Sequence, residues 1–128
     1  MNINDQNFLF VCGCPRSGTS ALAALLNHSS MVAIGQERYF NHAKDDGSYS
    51  LSPQLFTKDR FFDIRPGDTF YDGCIALGLQ DKFDSCKYVG DKIPNLAYHI
   101  GKLFSAFPAD RLRLIFMLRN PVDVSASY

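Results

Sequence analysis

The sequence predicts an α/β fold, a parallel β-sheet flanked by helices in three α/β/α layers, and three observations carry that prediction. A continuous apolar run without alternation, Phe8–Cys12, fits a strand covered on both faces, and "LRLIFML", Leu112–Leu118, reads as another strand. Segments with apolar residues at helical spacing lie between such runs, which implies right-handed crossovers. A glycine-bearing stretch, "GCPRSGTS", joins the first run to the first helical segment and makes the sheet one of the P-loop type.

Taken in order, the Phe8–Cys12 strand ends at Gly13, and Gly18 to Asn27 follows as a helix with Ala21, Leu22, Leu25 and Leu26 at its spacing. Met31–Ile34 reads as a second strand closed by Gly35. From Arg38 to Asp68 the pattern weakens: "HAKDDGSYS" and "RPGD" are turn segments, and Ser52-Pro53 reads as a helix cap and first position. Phe56, Phe61, Phe62 and Phe70 could wall a pocket, but aromatic residues at such spacing are more often ordinary core. Phe70–Phe83 reads as a helix weakened by Gly73 and Gly78. Tyr88 and Val89 mark a third strand entering "GDKIPN", and Pro94 opens a helix whose apolar residues are Leu96, Ile100, Leu103, Phe104 and Phe107. Leu112–Leu118 is the fourth strand, Arg119-Asn120-Pro121 ends it, and "VDVSASY" begins a further helix. Without repeats, linkers or low-complexity tracts, residues 1–128 read as one domain.

Composition narrows the function. Thirteen basic residues balance thirteen acidic ones, so no global field draws the chain to nucleic acid or a membrane surface. Any anion must be held by a few placed residues. Cys12-x-Cys14 suits neither a zinc knuckle nor a redox pair, and with Cys74 and Cys86 it reads as free thiols in a reducing compartment. "MNINDQNFLFV" has no basic stretch ahead of a long apolar run, so the expectation is a cytoplasmic chain without a membrane span. His28, His42 and His99 share no metal-ligand spacing and are expected to be structural or surface residues, with no metal required.

The glycine loop is the most specific signal. It keeps the frame G-x-x-x-x-G-K-[ST] except that Thr19 replaces the lysine that reaches a nucleotide's β/γ-phosphates. Amides at a helix start still bind an anion, and Arg16 can add a bidentate contact. The alternative is a tight strand-to-helix turn with incidental glycines.

"PRSGTS" resembles the 5'-phosphosulfate-binding loop of the sulfotransferases, and of these the bacterial and tyrosylprotein-type branch with P-R-S-G-T. "FMLRNPVDVSASY" resembles that family's 3'-phosphate-binding segment, with Arg119 and, eight positions on, Ser127. The resemblance implies 3'-phosphoadenosine 5'-phosphosulfate (PAPS) as donor and adenosine 3',5'-bisphosphate (PAP) as product. It implies that Arg16, Ser17, Gly18, Thr19 and Ser20 hold the phosphosulfate, while Arg119 and Ser127 hold the 3'-phosphate. Arg16 would also act in catalysis. Glu37, twenty-one residues beyond Arg16, matches the general base of the tyrosylprotein-type branch; the alternative is a surface Glu in a loop. Lys92 in "VGDKIPN" resembles the lysine that steadies charge on the bridging oxygen; the alternative is a solvated lysine ahead of a Pro-initiated helix. Arg38 reads as an ion-pair partner for Glu37.

The acceptor implied is a hydroxyl or amine on a small molecule, glycan, lipid or peptide. Family members are usually longer, so the expectation is a chain truncated at its C-terminus, with an apolar edge that favours a homo-oligomer or pairing with a missing C-terminal half. Two rival readings remain open: a magnesium-dependent P-loop kinase-like phosphotransferase, and a non-catalytic nucleotide-binding or assembly module.

Overall fold

The computed structural model describes residues 6–13, 18–44, 49–69 and 78–118. Among them are four strands, β1 (Asn7–Gly13), β2 (Val32–Gln36), β3 (Tyr88–Lys92) and β4 (Leu112–Met117), in one all-parallel sheet of order β2-β3-β1-β4. The helices are α1 (Thr19–Leu26), α2 (Lys58–Phe61), α3 (Leu79–Lys82) and α4 (Ile100–Ala106), joined by several 3₁₀ turns. The helix expected in "VDVSASY" and most of the one expected over Phe70–Phe83 lie outside the described residues. Where that second segment is described, Gly78 at φ 67° sits before α3, so helix begins there and does not run through the glycine.

Alternation along the strands sorts the core into two layers. Leu9, Val11, Val32 and Ile34 face one side, where Ala23, Leu22 and Leu26 of α1 cover them. Phe8, Phe10, Cys12, Val89 and Leu112 face the other, against Tyr39, Phe56, Phe61, Leu96, Leu103 and Phe107. That second layer is aromatic, with Phe8 and Phe107 edge-to-face at 5.0 Å, Phe10 and Phe56 at 5.5 Å, and Tyr39 and Phe56 at 5.2 Å. Phe56 and Phe61 are core and Phe62 packs against it, as read from the sequence. Phe70 lies outside the described residues.

Two helical expectations change. The stretch after Pro94 is a 3₁₀ turn, Pro94–Tyr98, broken at His99 (φ −132°, ψ 28°) before α4 begins. The Ile93 N–H is bound to the Val11 carbonyl at 2.9 Å, so the chain must leave the sheet edge before it can lie across the face. Winding tightly and breaking at His99 buries both Leu96 and Leu103, while Phe104 remains half-exposed. At Ser52-Pro53 the chain again winds as a 3₁₀ turn, Pro53–Phe56, and the Ser52 side chain makes no capping bond; Thr57 caps α2 instead, accepting from the Arg60 N–H at 3.3 Å.

Beneath the aromatic layer lies a buried carboxylate, Asp68. It faces Arg38 at 3.3 Å, Arg60 at 2.8 Å and His42 Nε2 at 2.8 Å, and accepts the Arg65 N–H at 3.0 Å. Burial opposes its ionisation, but the Arg60 hydrogen bond, the Arg65 amide, His42 and the Arg38 charge together hold its carboxyl well below the usual range. A depressed carboxyl adds stability that is present above its ordinary value of 3.8 and is lost as pH falls toward the folded value. Asp68→Asn strands the buried guanidinium of Arg38 and weakens the hold on the partly exposed Arg60, and urea unfolding at pH 7 should show a loss of about 3–5 kcal/mol. Between about pH 5 and pH 2 the variant should also lose less further stability than the native chain does.

Candidate functional site

All four strands run the same way, so the loops leaving β1, β2 and β3 share the carboxyl edge of the sheet, where open α/β sheets bind ligands. Parallel register sets Val11, Lys92 and Gln36 level with one another across three strands. Alternation carries Lys92 and Gln36 to the same face as Val11, the face that α1 covers.

At that edge α1 starts from Gly18, which takes φ 93° and ψ 14°, a left-handed conformation that suits glycine. No side chain caps this helix start and no acidic residue lies in its first turn. Gly18 and Ser20 are exposed, while Thr19 is 4% exposed and turned inward. Gln36, which the sequence reading passed over, donates from Nε2 to the Ser20 carbonyl at 3.2 Å and ties the end of β2 to the first turn of α1. Arg16 and Ser17 in the loop, and Arg119 and Ser127 beyond β4, lie outside the described residues.

Glu37 and Lys92 meet. Lys92 Nζ stands 3.6 Å from Glu37 Oε2, with the lysine side chain 5% exposed and the carboxylate 32% exposed. Glu37 holds φ 55°, a left-handed conformation that costs a non-glycine residue about 1–3 kcal/mol and persists only where its surroundings enforce it. Its N–H donates to the Lys92 carbonyl at 2.8 Å, one rung past the end of the β2–β3 ladder. The next two N–H groups, of Arg38 and Tyr39, donate to Asp91 Oδ1 and Oδ2 at 3.1 and 2.8 Å. Asp91 is fully buried on the aromatic side of β3, and burial pushes its carboxyl up to about 7 against the pull of these backbone donors and of Lys92.

Arg38 is not the partner of Glu37. Its side chain is 1% exposed and runs to the other face of the sheet, where Nε donates to the Phe61 carbonyl at 2.9 Å and the guanidinium pairs with Asp68. Consecutive residues in this turn diverge, so adjacency in sequence did not predict pairing. Asp91 is the residue that a stricter reading of "YVGDKI" could have found, since an acid inside a short apolar strand must have partners. His42 is structural, held between Ser50 Oγ and Asp68 Oδ1 at 2.8 Å each. Among the described residues no group of His, Cys, Asp or Glu is placed to hold a metal, and no helix is long and apolar enough to cross a membrane.

An uncapped helix start beside a carboxylate–ammonium pair, at the carboxyl edge of a parallel sheet, suits the transfer of an anionic group. Comparison with protein families agrees: the profile of the sulfotransferase family matches residues 9–128. The chain belongs to the sulfotransferase family, whose members catalyse sulfuryl transfer and generally draw the group from PAPS. No curated protein matches it.

Close packing under the Glu37 turn leaves no room at Gly35. A Cβ there would lie 2.7 Å from Arg38 Cβ, 2.8 Å from Asp91 Oδ1 and 3.2 Å from Phe61 Cζ. Gly35→Ala should therefore cost about 1–3 kcal/mol in chemical denaturation, the usual penalty of overpacking.

Proposed function

We propose that this chain transfers a sulfuryl group from PAPS to a hydroxyl or amine acceptor, in the manner of the bacterial and tyrosylprotein-type branch. The observation that carries this reading is the Glu37–Lys92 pair, 3.6 Å apart beside the start of α1. The uncapped amides of Gly18, Thr19 and Ser20 fit an anionic phosphosulfate, and their helix dipole favours it. Arg16 and Ser17 complete that loop, Arg16 adding positive charge to the reacting group. Arg119 and Ser127 take the 3'-phosphate. PAPS supplies the sulfuryl group and leaves as PAP.

Each side chain then has one task. Glu37 Oε accepts the proton of the acceptor hydroxyl as its oxygen bonds to sulfur. Lys92 Nζ steadies the negative charge that builds on the bridging oxygen as its bond to sulfur breaks. The lysine is buried, so little reorganisation is needed as that charge develops, while the partial exposure of Glu37 leaves an acceptor room to reach it. The assay is a mixed panel of small-molecule, glycan, lipid and peptide acceptors.

Transfer from radiolabelled PAPS to that panel should fall about 10²–10⁴-fold in Glu37→Gln, the span of a lost general base. Lys92→Met should lose about 10²–10³-fold. In both, calorimetric affinity for PAP should remain within about twofold of the native chain, under 0.5 kcal/mol. Native activity in Glu37→Gln would remove the base assignment. Equal affinity for adenosine 5'-monophosphate and PAP would remove the roles of Arg119 and Ser127, and binding only of magnesium-ATP would replace the donor.

A further inference from the structure

Two neighbouring residues of β3 face opposite sides of the sheet. Lys92 faces the α1 side and meets Glu37; Asp91 faces the aromatic side and is fully buried there. Yet Asp91 is fully buried, and unlike Asp68, which pairs with Arg38 and Arg60, its carboxylate is held by backbone groups; a charge left there without purpose is costly. Its partners are three backbone N–H groups: Arg38 to Oδ1 at 3.1 Å, Tyr39 to Oδ2 at 2.8 Å and Lys92 to Oδ1 at 2.9 Å. The first two follow Glu37 directly, and the third belongs to the residue that Glu37 faces.

We propose that Asp91 is the positioning residue of this site: its carboxylate, binding the N–H groups of Arg38, Tyr39 and Lys92, sets Glu37 against Lys92. The proposal rests on the reading of Glu37 as base and Lys92 as charge stabiliser. Three features support it. Glu37 is held at φ 55°, a conformation that the turn does not favour by itself. The Asp91 oxygens bind both amides just beyond that residue, so the turn cannot relax without breaking bonds to a buried carboxylate. Gly35 leaves the space through which the carboxylate reaches the turn, since a Cβ there would sit 2.8 Å from Asp91 Oδ1. One side chain thus spans the two strand ends that carry the acid and the amine, and fixes their separation by backbone contacts alone.

The substitution that tests it is Asp91→Asn. Asn Oδ1 still accepts from Arg38 and Lys92, but Nδ2 then points a donor at the Tyr39 N–H, and the turn is released on one side. Transfer from PAPS to the acceptor panel should fall about 10–100-fold, the usual effect of a small misplacement at a reacting centre. The loss should appear in kcat, with KM for PAPS and affinity for PAP unchanged, since the helix start does not touch Asp91. In a Glu37→Gln background the same substitution should cost less than about threefold, because its effect passes through Glu37.

A native kcat in Asp91→Asn, with Glu37→Gln inactive, overturns the positioning role and leaves the base standing. An equal loss on both backgrounds overturns it too, as the signature of general destabilisation. Native activity in Glu37→Gln removes the base and this proposal with it. If Asp91→Asn does not fold, hydrogen exchange of the native chain decides. Arg38 and Tyr39 amides that exchange as slowly as those of β3 support the clamp, and amides that exchange at the rate of an open loop overturn it.

Discussion

A carboxylate buried where water cannot reach it must be satisfied by the protein, and Asp91 is satisfied entirely by backbone. Its three N–H donors come from the end of its own strand and from the turn after β2, so one group joins two chain segments more than fifty residues apart. Register does the rest. With Gln36 level with Lys92, the residue after Gln36 arrives where Lys92 can meet it. A helix start and a carboxylate–ammonium pair then share one edge of the sheet without any long loop to hold them.

The two faces of the sheet divide the work. On the α1 side the layer is aliphatic and thin, and Gln36, Lys92 and the first turn of α1 emerge from it. On the other side the rings of Phe8, Phe10, Phe56, Tyr39 and Phe107 interlock at 5.0–6.1 Å and form a stiff floor. Arg38 is anchored in that floor by Asp68 and the Phe61 carbonyl, so the turn that carries Glu37 is held from below by a side chain as well as by Asp91. Strain at Glu37 is tolerated because both anchors would have to give way to relieve it. Tyr39 contributes at the same point: its ring packs against Phe56 and its hydroxyl donates to the Leu55 carbonyl at 2.5 Å.

Much of this was legible in the chain, and the exceptions are instructive. The buried strand β1 announced itself as an unbroken apolar run, and β2 and β3 extend a few residues past the stretches that marked them, into half-buried Gln36 and into Asp91 and Lys92, both buried. Glu37 and Lys92 stood out through their motifs, although nothing local required them to be 3.6 Å apart. The helix after Pro94 was misread because its apolar period is continuous, while the hydrogen bond from Ile93 to Val11 forces a tighter winding first. Arg38 was misread because a charged pair next to each other in sequence suggests contact, whereas a left-handed residue between strand and turn sends the two side chains apart.

By itself the sequence determined the alternation of strand and helix, the start of α1 at Gly18 and the buried run of β1, because these depend on composition and period within a few residues. Only the tertiary structure decided the strand order, the pairing of Glu37 with Lys92, the burial of Arg38 beside Asp68, and the use of Asp91 as a tie between two strand ends. The physical reason is separation along the chain. Those contacts join segments from about thirty residues apart, for Arg38 and Asp68, to about a hundred, for β1 and β4, so they exist only once the fold has brought the segments together.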